Sequence, residues 1–318
     1  MLELRVGPES QGERLDRWLV AELAGEASRS QIQKWIEEGG VELIEPGEGE
    51  ELTEEFPRAS RKTIAGELYR LEIPEPVQTD LRPLDQNLRV LHEDEDLAVI
   101  VKPPGLAVHP GPGDGGVTLV NGLLYLFGEL PNSGELIRPG IVHRLDKPTE
   151  GLLVVARNEK TQRLLSLQFQ ERTVRKEYLA WLLAAPREKR GRIEQPLERH
   201  PKERLKMRVA APGRGREAVS EYEITRAVAS RRGRKFAQAR VRIETGRTHQ
   251  IRVHLAHLGS PVVGDPLYSR SSVKYEKFGL LLLARKLRFV HPRTGEELAF
   301  ELEIPERFLE FERRCENF

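Results

Sequence analysis

The sequence of 318 residues predicts an α+β chain in two domains, on three observations. Its length exceeds what one small core needs. Amphipathic helical stripes and short β-like runs both occur along it. The charge changes sign near residues 76–88, a stretch with Pro76, Pro83 and few apolar groups that reads as a linker. Residues 1–76 hold nine Lys or Arg against eighteen Asp or Glu, whereas residues 172–247 hold 22 against nine. A local excess of that size is an electrostatic footprint for a polyanion, so nucleic acid is the expected partner. Hydrophobic content of 38% is still globular, and 32% charged residues predict a well-solvated surface. The single cysteine, Cys315, can form no internal disulfide and no thiolate metal centre, which suits a reducing cytosol. The N-terminus has no long apolar run, so a cytoplasmic protein without a membrane partner is expected.

In chain order, Leu15, Trp18, Leu19 and Leu23 recur at helical spacing and predict a first helix, with Arg14 and Arg17 off its stripe. Ser28-Arg29-Ser30 supplies a capping signal for a second helix, which Gly39-Gly40 ends. From residue 88 to 101 a strand, an acidic turn at 93–96 and another strand are expected. The Gly-rich stretch 102–113 lacks the Gly-Lys-Ser/Thr ending of a phosphate loop and reads as a structured loop, with His109 an ordinary member of it. Ile141-Val142 and residues 152–156 are β-like runs around His143-Arg144-Leu145-Asp146-Lys147-Pro148-Thr149-Glu150-Gly151, where Pro148 and Gly151 are turn residues. Catalytic residues concentrate on loops held by rigid elements, which makes Asp146 the favoured carboxylate.

Residues 159–173 read as a helix with Leu164, Leu165 and Phe169 on one side. Residues 175–181 follow as a strand in which Tyr178, Ala180 and Leu182 share a face. On spacing alone, Tyr178 is core. The basic run 200–208 suits a loop gripping phosphates. Strands through 222–224 and 239–243 lead to Thr248, a good N-cap, and a helix striped by Ile251, Leu255 and Leu258. Gly259 ends that helix. His249, His254 and His257 are close, but no pair brackets a glutamate at i,i+4 spacing, so no metal is expected.

Two sets of motifs resemble known families. "RLDRWLVAEL", "SRSQIQKWIEEGGV" and "PRASRKTIAGELYRLEIPE" resemble the ribosomal-protein S-four-like RNA-binding module. That resemblance implies RNA contacts from Arg14, Arg29, Lys34, Arg61 and Lys62. Where the module usually has a short Val-Asn-Gly turn, residues 41–55 carry seven glutamates that would repel phosphate. "HRLDKPTEGLLVVARN", "RTVRKEYLAWL", "LERHPKERLKM" and "ETGRTHQIRVHLAHLGSPVVGDPLY" together resemble the RluA-type pseudouridine synthases over residues 88–305. With the N-terminal module, the resemblance is to the RluD-like subgroup that acts on large-subunit ribosomal RNA.

The resemblance implies a mixed, largely antiparallel central sheet with flanking helices, plus a small N-terminal α/β RNA-binding domain. The corresponding boundaries are 1–76 for the RNA-binding module, 77–87 for the linker and 88–318 for the catalytic domain. It implies Asp146 as nucleophile toward uridine, with no cofactor and no metal. Arg252 matches the family's active-site arginine and would fix the carboxylate's orientation. Tyr178 matches the tyrosine that stacks near the uracil and takes a proton from the sugar. Reaching a paired uridine requires flipping it from its stack. Arg144 is the candidate for the gap or the neighbouring phosphate, with Lys147, Arg247 and His249 as further RNA contacts. A monomer is expected.

Two positions depart from the pattern. Glu150 stands where Ser or Thr is usual, and Gly279 to Ala284 replaces the usual Arg-Gln-Ala-Leu-His-Ala, which puts Leu283 in place of histidine. Two rival readings follow from the same residues. A glycoside hydrolase would use Asp146 and Glu150 as a carboxylate pair. A non-catalytic RNA-binding or ribosome-assembly factor would need neither, and intact Asp146, Tyr178 and Arg252 speak against it.

Overall fold

The computed structural model describes residues 2–23, 29–47, 56–72, 81–110, 116–131, 138–203, 205–231 and 233–315. The side chains of residues 29–31, 34 and 272 lie outside that description, as do Ser28 and residues 48–55 of the glutamate-rich stretch. Described residues before Leu81 form one compact unit, and those from Leu81 onward form another.

The first unit contains β1 (Leu2–Arg5), α1 (Leu15–Glu22), α2 (Arg29–Glu37), β2 (Val41–Glu45) and β3 (Leu68–Leu71). Its strands form an antiparallel sheet in the order β1-β3-β2. The helical stripe read from the sequence is the buried one, since Leu15, Trp18, Leu19 and Leu23 share a core with Ile32, Ile36, Val41 and Tyr69.

The second unit begins with β4 (Arg89–Glu93), β5 (Leu97–Lys102), α3 (Leu119–Phe127), β6 (Glu150–Ala156), α4 (Glu159–Gln170) and β7 (Arg175–Leu182). There follow β8 (Arg190–Glu194), β9 (Leu197–Arg199), β10 (Met207–Val209), β11 (Val219–Ala229) and β12 (Lys235–Ile243). It closes with α5 (Gln250–His257), β13 (Leu282–Val290), β14 (Glu297–Glu301) and α6 (Glu306–Cys315). A nine-stranded sheet runs β4-β5-β6-β13-β7-β12-β11-β8, with β14 on the free part of β13. Every pairing in it is antiparallel except β13 with β6. The mixed, largely antiparallel sheet is therefore as predicted.

Alternation along the central strands fills two cores, because successive side chains leave opposite faces. Leu152, Val154, Leu179 and Trp181 meet Phe308 and Phe311 of α6 on one face. Leu153, Val155, Tyr178, Ala180 and Leu182 meet Leu119 and Leu123 of α3, and Ile251 and Leu255 of α5, on the other. Strands buried on both faces read as continuous apolar runs, which is the appearance of residues 152–156.

Four local expectations are corrected. Ile141-Val142 is not a strand and makes one isolated bridge, from Ile141 to Val155. Gly151 lies inside β6 rather than in a turn, at φ +136°, and a Cβ there would stand 2.4 Å from the Ala284 carbonyl oxygen. The absence of a side chain is what lets β6 and β13 meet in parallel. The N-cap of α5 is left-handed His249 instead of Thr248, and Leu258 is 38% exposed instead of closing the stripe.

The basic belt is also less free than its composition implies. Among the described residues, eight of the nine acidic residues in 172–247, all but Glu188, pair with Arg or Lys. Antiparallel register puts Arg and Glu opposite one another on β8, β11 and β12, as in Arg192 beside Glu221 and Arg240 beside Glu223.

Candidate active site

A loop from Ile141 to Thr149 carries the His-Arg-Leu-Asp motif, and its shape is held from several sides. Leu145 is buried, and the Thr149 amide closes a turn on the Asp146 carbonyl at 3.0 Å. The Gly105 amide donates to the Lys147 carbonyl at 2.8 Å, so the Gly-rich stretch packs on the motif loop. Lys102 reinforces this junction. Its fully buried ammonium donates to the carbonyls of Pro103, Leu106 and Lys147 at 2.7–3.1 Å, and burial lowers its pKa to about 7.

The loop forms one wall of a cavity of about 320 Å³. Asp146 faces Tyr178 from β7, Arg252 from α5 and Leu282 from β13 across it. The Arg252 Nη1 donates to Asp146 Oδ2 at 3.2 Å across 106 residues of sequence. Behind it, Asp265 grips the same guanidinium in a fork, with Nε to Oδ2 and Nη2 to Oδ1 both at 2.8 Å. Asp265 also accepts the amides of Leu267 and Tyr268, and the Tyr268 ring lies 5.2 Å from the guanidinium carbon. Arg252 is 1% exposed and Asp265 fully buried. Burial works against the guanidinium's charge, but Asp265 and then Asp146 outweigh it and raise its pKa above the ordinary value. Each of its three donor directions is specified, so Asp146 is presented in a fixed orientation.

Tyr178 is buried and lines the cavity. Burial first, and the Asp146 charge second, raise its phenol well above 10, which keeps the hydroxyl protonated at neutral pH. His249 forms part of the opposite wall. Tyr268 Oη accepts the Met207 amide at 2.8 Å and shares a hydrogen bond with His249 Nδ1 at 2.7 Å, which ties the ring to this wall.

Arg144 and Arg247 line the cavity with these groups. The Arg144 Nη1 donates to His109 Nε2 at 3.3 Å, and Arg247 Nε donates to the Glu217 carbonyl at 2.9 Å. Lys147 is exposed and is not among the lining residues. In the first unit Arg14 forks onto Asp16, with both contacts at 3.0 Å, and Arg61 pairs with Glu67. Lys62 donates to the Gly12 carbonyl at 2.8 Å. The side chains of Arg29 and Lys34 lie outside the described residues.

Glu150 is absent from the cavity lining and binds Arg307 of α6 at 2.8 Å. The same guanidinium donates to the carbonyls of Phe278 and Leu280 at 2.9 and 2.8 Å. The departure from Ser or Thr is thus half of a structural ion pair. Leu283 is fully buried in the core shared with α6, and Leu282 walls the cavity.

Sequence reasoning passed over Asp265 and Lys102. Asp265 stood in the quoted Gly-Asp-Pro-Leu-Tyr segment, where an Asp before Pro predicts local amide capping rather than a partner 13 residues upstream.

Among the described residues, one set of metal-type ligands converges, Asp94, Asp96 and His291. Protein cations and histidines already pair with its carboxylates. Asp94 takes His92 at 2.7 Å and His291 at 3.2 Å, and Asp96 takes Arg293 at 2.6 Å. His254 is spent on Ser220 Oγ and the Gln195 carbonyl, both at 2.9 Å.

A family model described as RNA pseudouridylate synthase matches residues 96–257. An RNA pseudouridine synthase of Aquifex aeolicus, named as uncharacterized, is 42% identical over 317 residues, covering 97% of this chain and 95% of its own. The ribosomal large subunit pseudouridine synthase D of Xanthomonas campestris is 39% identical over 318 residues, with coverages of 96% and 90%. Among solved structures, human RNA pseudouridylate synthase domain containing 1 superposes with a TM-score of 0.56 at 27% identity, covering 72% of this chain and 86% of that one.

Proposed function

The chain belongs to the RNA pseudouridylate synthase family, and from that premise we propose that it isomerises uridines of large-subunit ribosomal RNA with Asp146 as its nucleophile. The isomerase activity on RNA is the family's; the residue roles and the ribosomal substrate are this proposal. Relatives named as large-subunit enzymes at 38–39% identity over nearly the whole chain support the substrate.

One observation carries the assignment of Asp146. It is a carboxylate in the cavity, hydrogen-bonded to an arginine that a second, buried carboxylate already orients. As a nucleophile it attacks the target nucleotide, and the N1–C1′ bond breaks. The uracil turns in place, C5 joins C1′ as the bond to the Asp146 carboxylate breaks, and the proton lost from C5 is balanced by the one that N1 gains. Atoms balance without a cofactor. Arg252 holds the carboxylate, and Tyr178, protonated and buried, walls the uracil and donates a hydrogen bond. A phenol raised above 10 is a weak base, so we assign it packing and donation rather than proton removal from the sugar. Arg144, Arg247 and His249 serve as RNA contacts at the cavity, and Lys147 as a contact beyond it.

Residues 1–76 serve as the S-four-like accessory RNA module, joined through 77–87 to a catalytic domain at 88–318, in a protein that acts as a monomer. Helix pair and three-stranded sheet support that reading, while internal pairing of Arg14, Arg61 and Lys62 implies a weak contribution to RNA affinity.

The test uses ribosomal RNA transcribed without modification and labelled at uracil C5. The intact protein releases label, and Asp146→Asn releases it at least about a thousandfold more slowly. Equal release by both sinks the nucleophile assignment. No release by either favours a binding factor, and free uracil favours a glycosidase.

A further inference from the structure

Two donors on the cavity wall have no acceptor among the described residues, unlike the buried cations Arg252, Lys102 and Arg307. Arg252 has two carboxylates, Lys102 three carbonyls and Arg307 a carboxylate and two carbonyls. Lys176 has none of these among the described residues. It precedes Tyr178 by two on β7, so both share a face, and it lines the same cavity half-buried. Its ammonium sits 5.6 Å from the Phe169 ring centre. Burial lowers its pKa to about 8, which leaves it mostly protonated at neutral pH.

His143 is the second donor. Its ring stacks on Phe169 at 4.5 Å, and its Nε2 accepts the Val154 amide at 3.0 Å. Burial and then the Lys176 charge lower its pKa to about 3, so the ring is neutral and its proton must sit on Nδ1. That N–H also has no acceptor among the described residues. Phe169 therefore contacts both groups, and Arg144 lines the cavity beside them.

A half-desolvated ammonium without a counter-ion is costly in the free protein and is relieved when an anion arrives. Uracil offers only neutral carbonyls; the anion an RNA strand carries is its phosphodiester. We infer that Lys176 and His143 form a phosphate subsite that grips the RNA backbone next to the uridine in the cavity. The inference rests on reading this cavity as the uridine site. Lys176 is here a binding residue and His143 its neutral co-donor.

The test compares wild type, Lys176→Met and Lys176→Arg on unmodified large-subunit ribosomal RNA. It measures label release for KM and kcat, and RNA binding by fluorescence anisotropy, across a salt series. Lys176→Met should raise KM and Kd about tenfold, with kcat falling less than KM rises. The slope of log affinity against log salt should become shallower by about 0.7, the value for one phosphate contact on a single strand. Lys176→Arg should restore most of both. Removing an unpaired buried charge should not lower the melting temperature; a merely structural lysine would lower it. Wild-type KM and salt slope in Lys176→Met overturn the subsite. So does a loss confined to kcat with an unchanged slope, which would assign Lys176 to the uracil. If wild type releases no label, the catalytic reading fails, while the anisotropy series still decides the phosphate contact.

Discussion

Two clusters of arginine and carboxylate in the second unit use the same chemistry to different ends. On the exposed face of the sheet, Arg192 meets Glu194, Glu221 and Glu244, and its side chain is 42% exposed. In the cavity, Arg252 meets Asp265 and Asp146 and is 1% exposed. Water screens the first cluster, so its contacts neutralise charge and add little else. Around the second, the protein has replaced water, so each donor is committed and its direction matters. Burial is what turns an ion pair into a positioning device.

Replacing Arg252 by Met tests the buried side with the largest expected effect. It leaves Asp265 as an uncompensated buried carboxylate, and stability should fall by about 3–5 kcal/mol in urea unfolding. Label release should fall by at least about a hundredfold, because Asp146 loses its orienting donor. A folded, active Arg252→Met protein would erase the distinction between the clusters.

A smaller effect separates the two by pH. His143 has its pKa lowered from 6.5 to about 3 by burial, so between those values the unfolded chain binds a proton that the folded chain does not. Its contribution is fully present above pH 6.5 and is lost as pH falls toward 3, with a slope approaching about 1.4 kcal/mol per pH unit. The glutamates of the exposed ladder, Glu223 and Glu244, have pKa values held below the ordinary 4.5 by their arginines. Both therefore stay ionised between pH 6.5 and 5, where the histidine alone changes. Between pH 6.5 and 5, unfolding midpoints of wild type should therefore drop relative to His143→Gln. Parallel curves would mean that His143 is not held neutral.

The smallest effect belongs to Arg192→Gln. Its melting temperature should stay within about 2 °C of wild type, and its RNA affinity should be unchanged, since the side chain is already committed to glutamates. A marked loss of RNA binding would return the exposed ladder to the role its composition suggests.

Composition is blind to that distinction. The excess of 22 basic over nine acidic residues in 172–247 is a property of the chain, but which arginines remain free depends on strand register. Register likewise decided Gly151. Read locally it is a turn residue; paired with Ala284 it is the gap that admits a parallel neighbour. Glu150 was unexplained until α6 brought Arg307 to it from 157 residues away.

The sequence by itself determined most of the secondary elements and the centre of each core, because burial alternates or recurs with local period. Trp18, Leu153 and Trp181 are inside for reasons visible in their immediate neighbours. It also pointed to chemically capable residues, Asp146 through its loop and Tyr178 and Arg252 through the family resemblance. Only the tertiary structure decided that Asp265 orients Arg252, that Tyr178 is too buried to ionise, and that Lys176 has no counter-ion among the described residues. Those properties depend on desolvation and on contacts between segments far apart in the chain, and no local pattern encodes either.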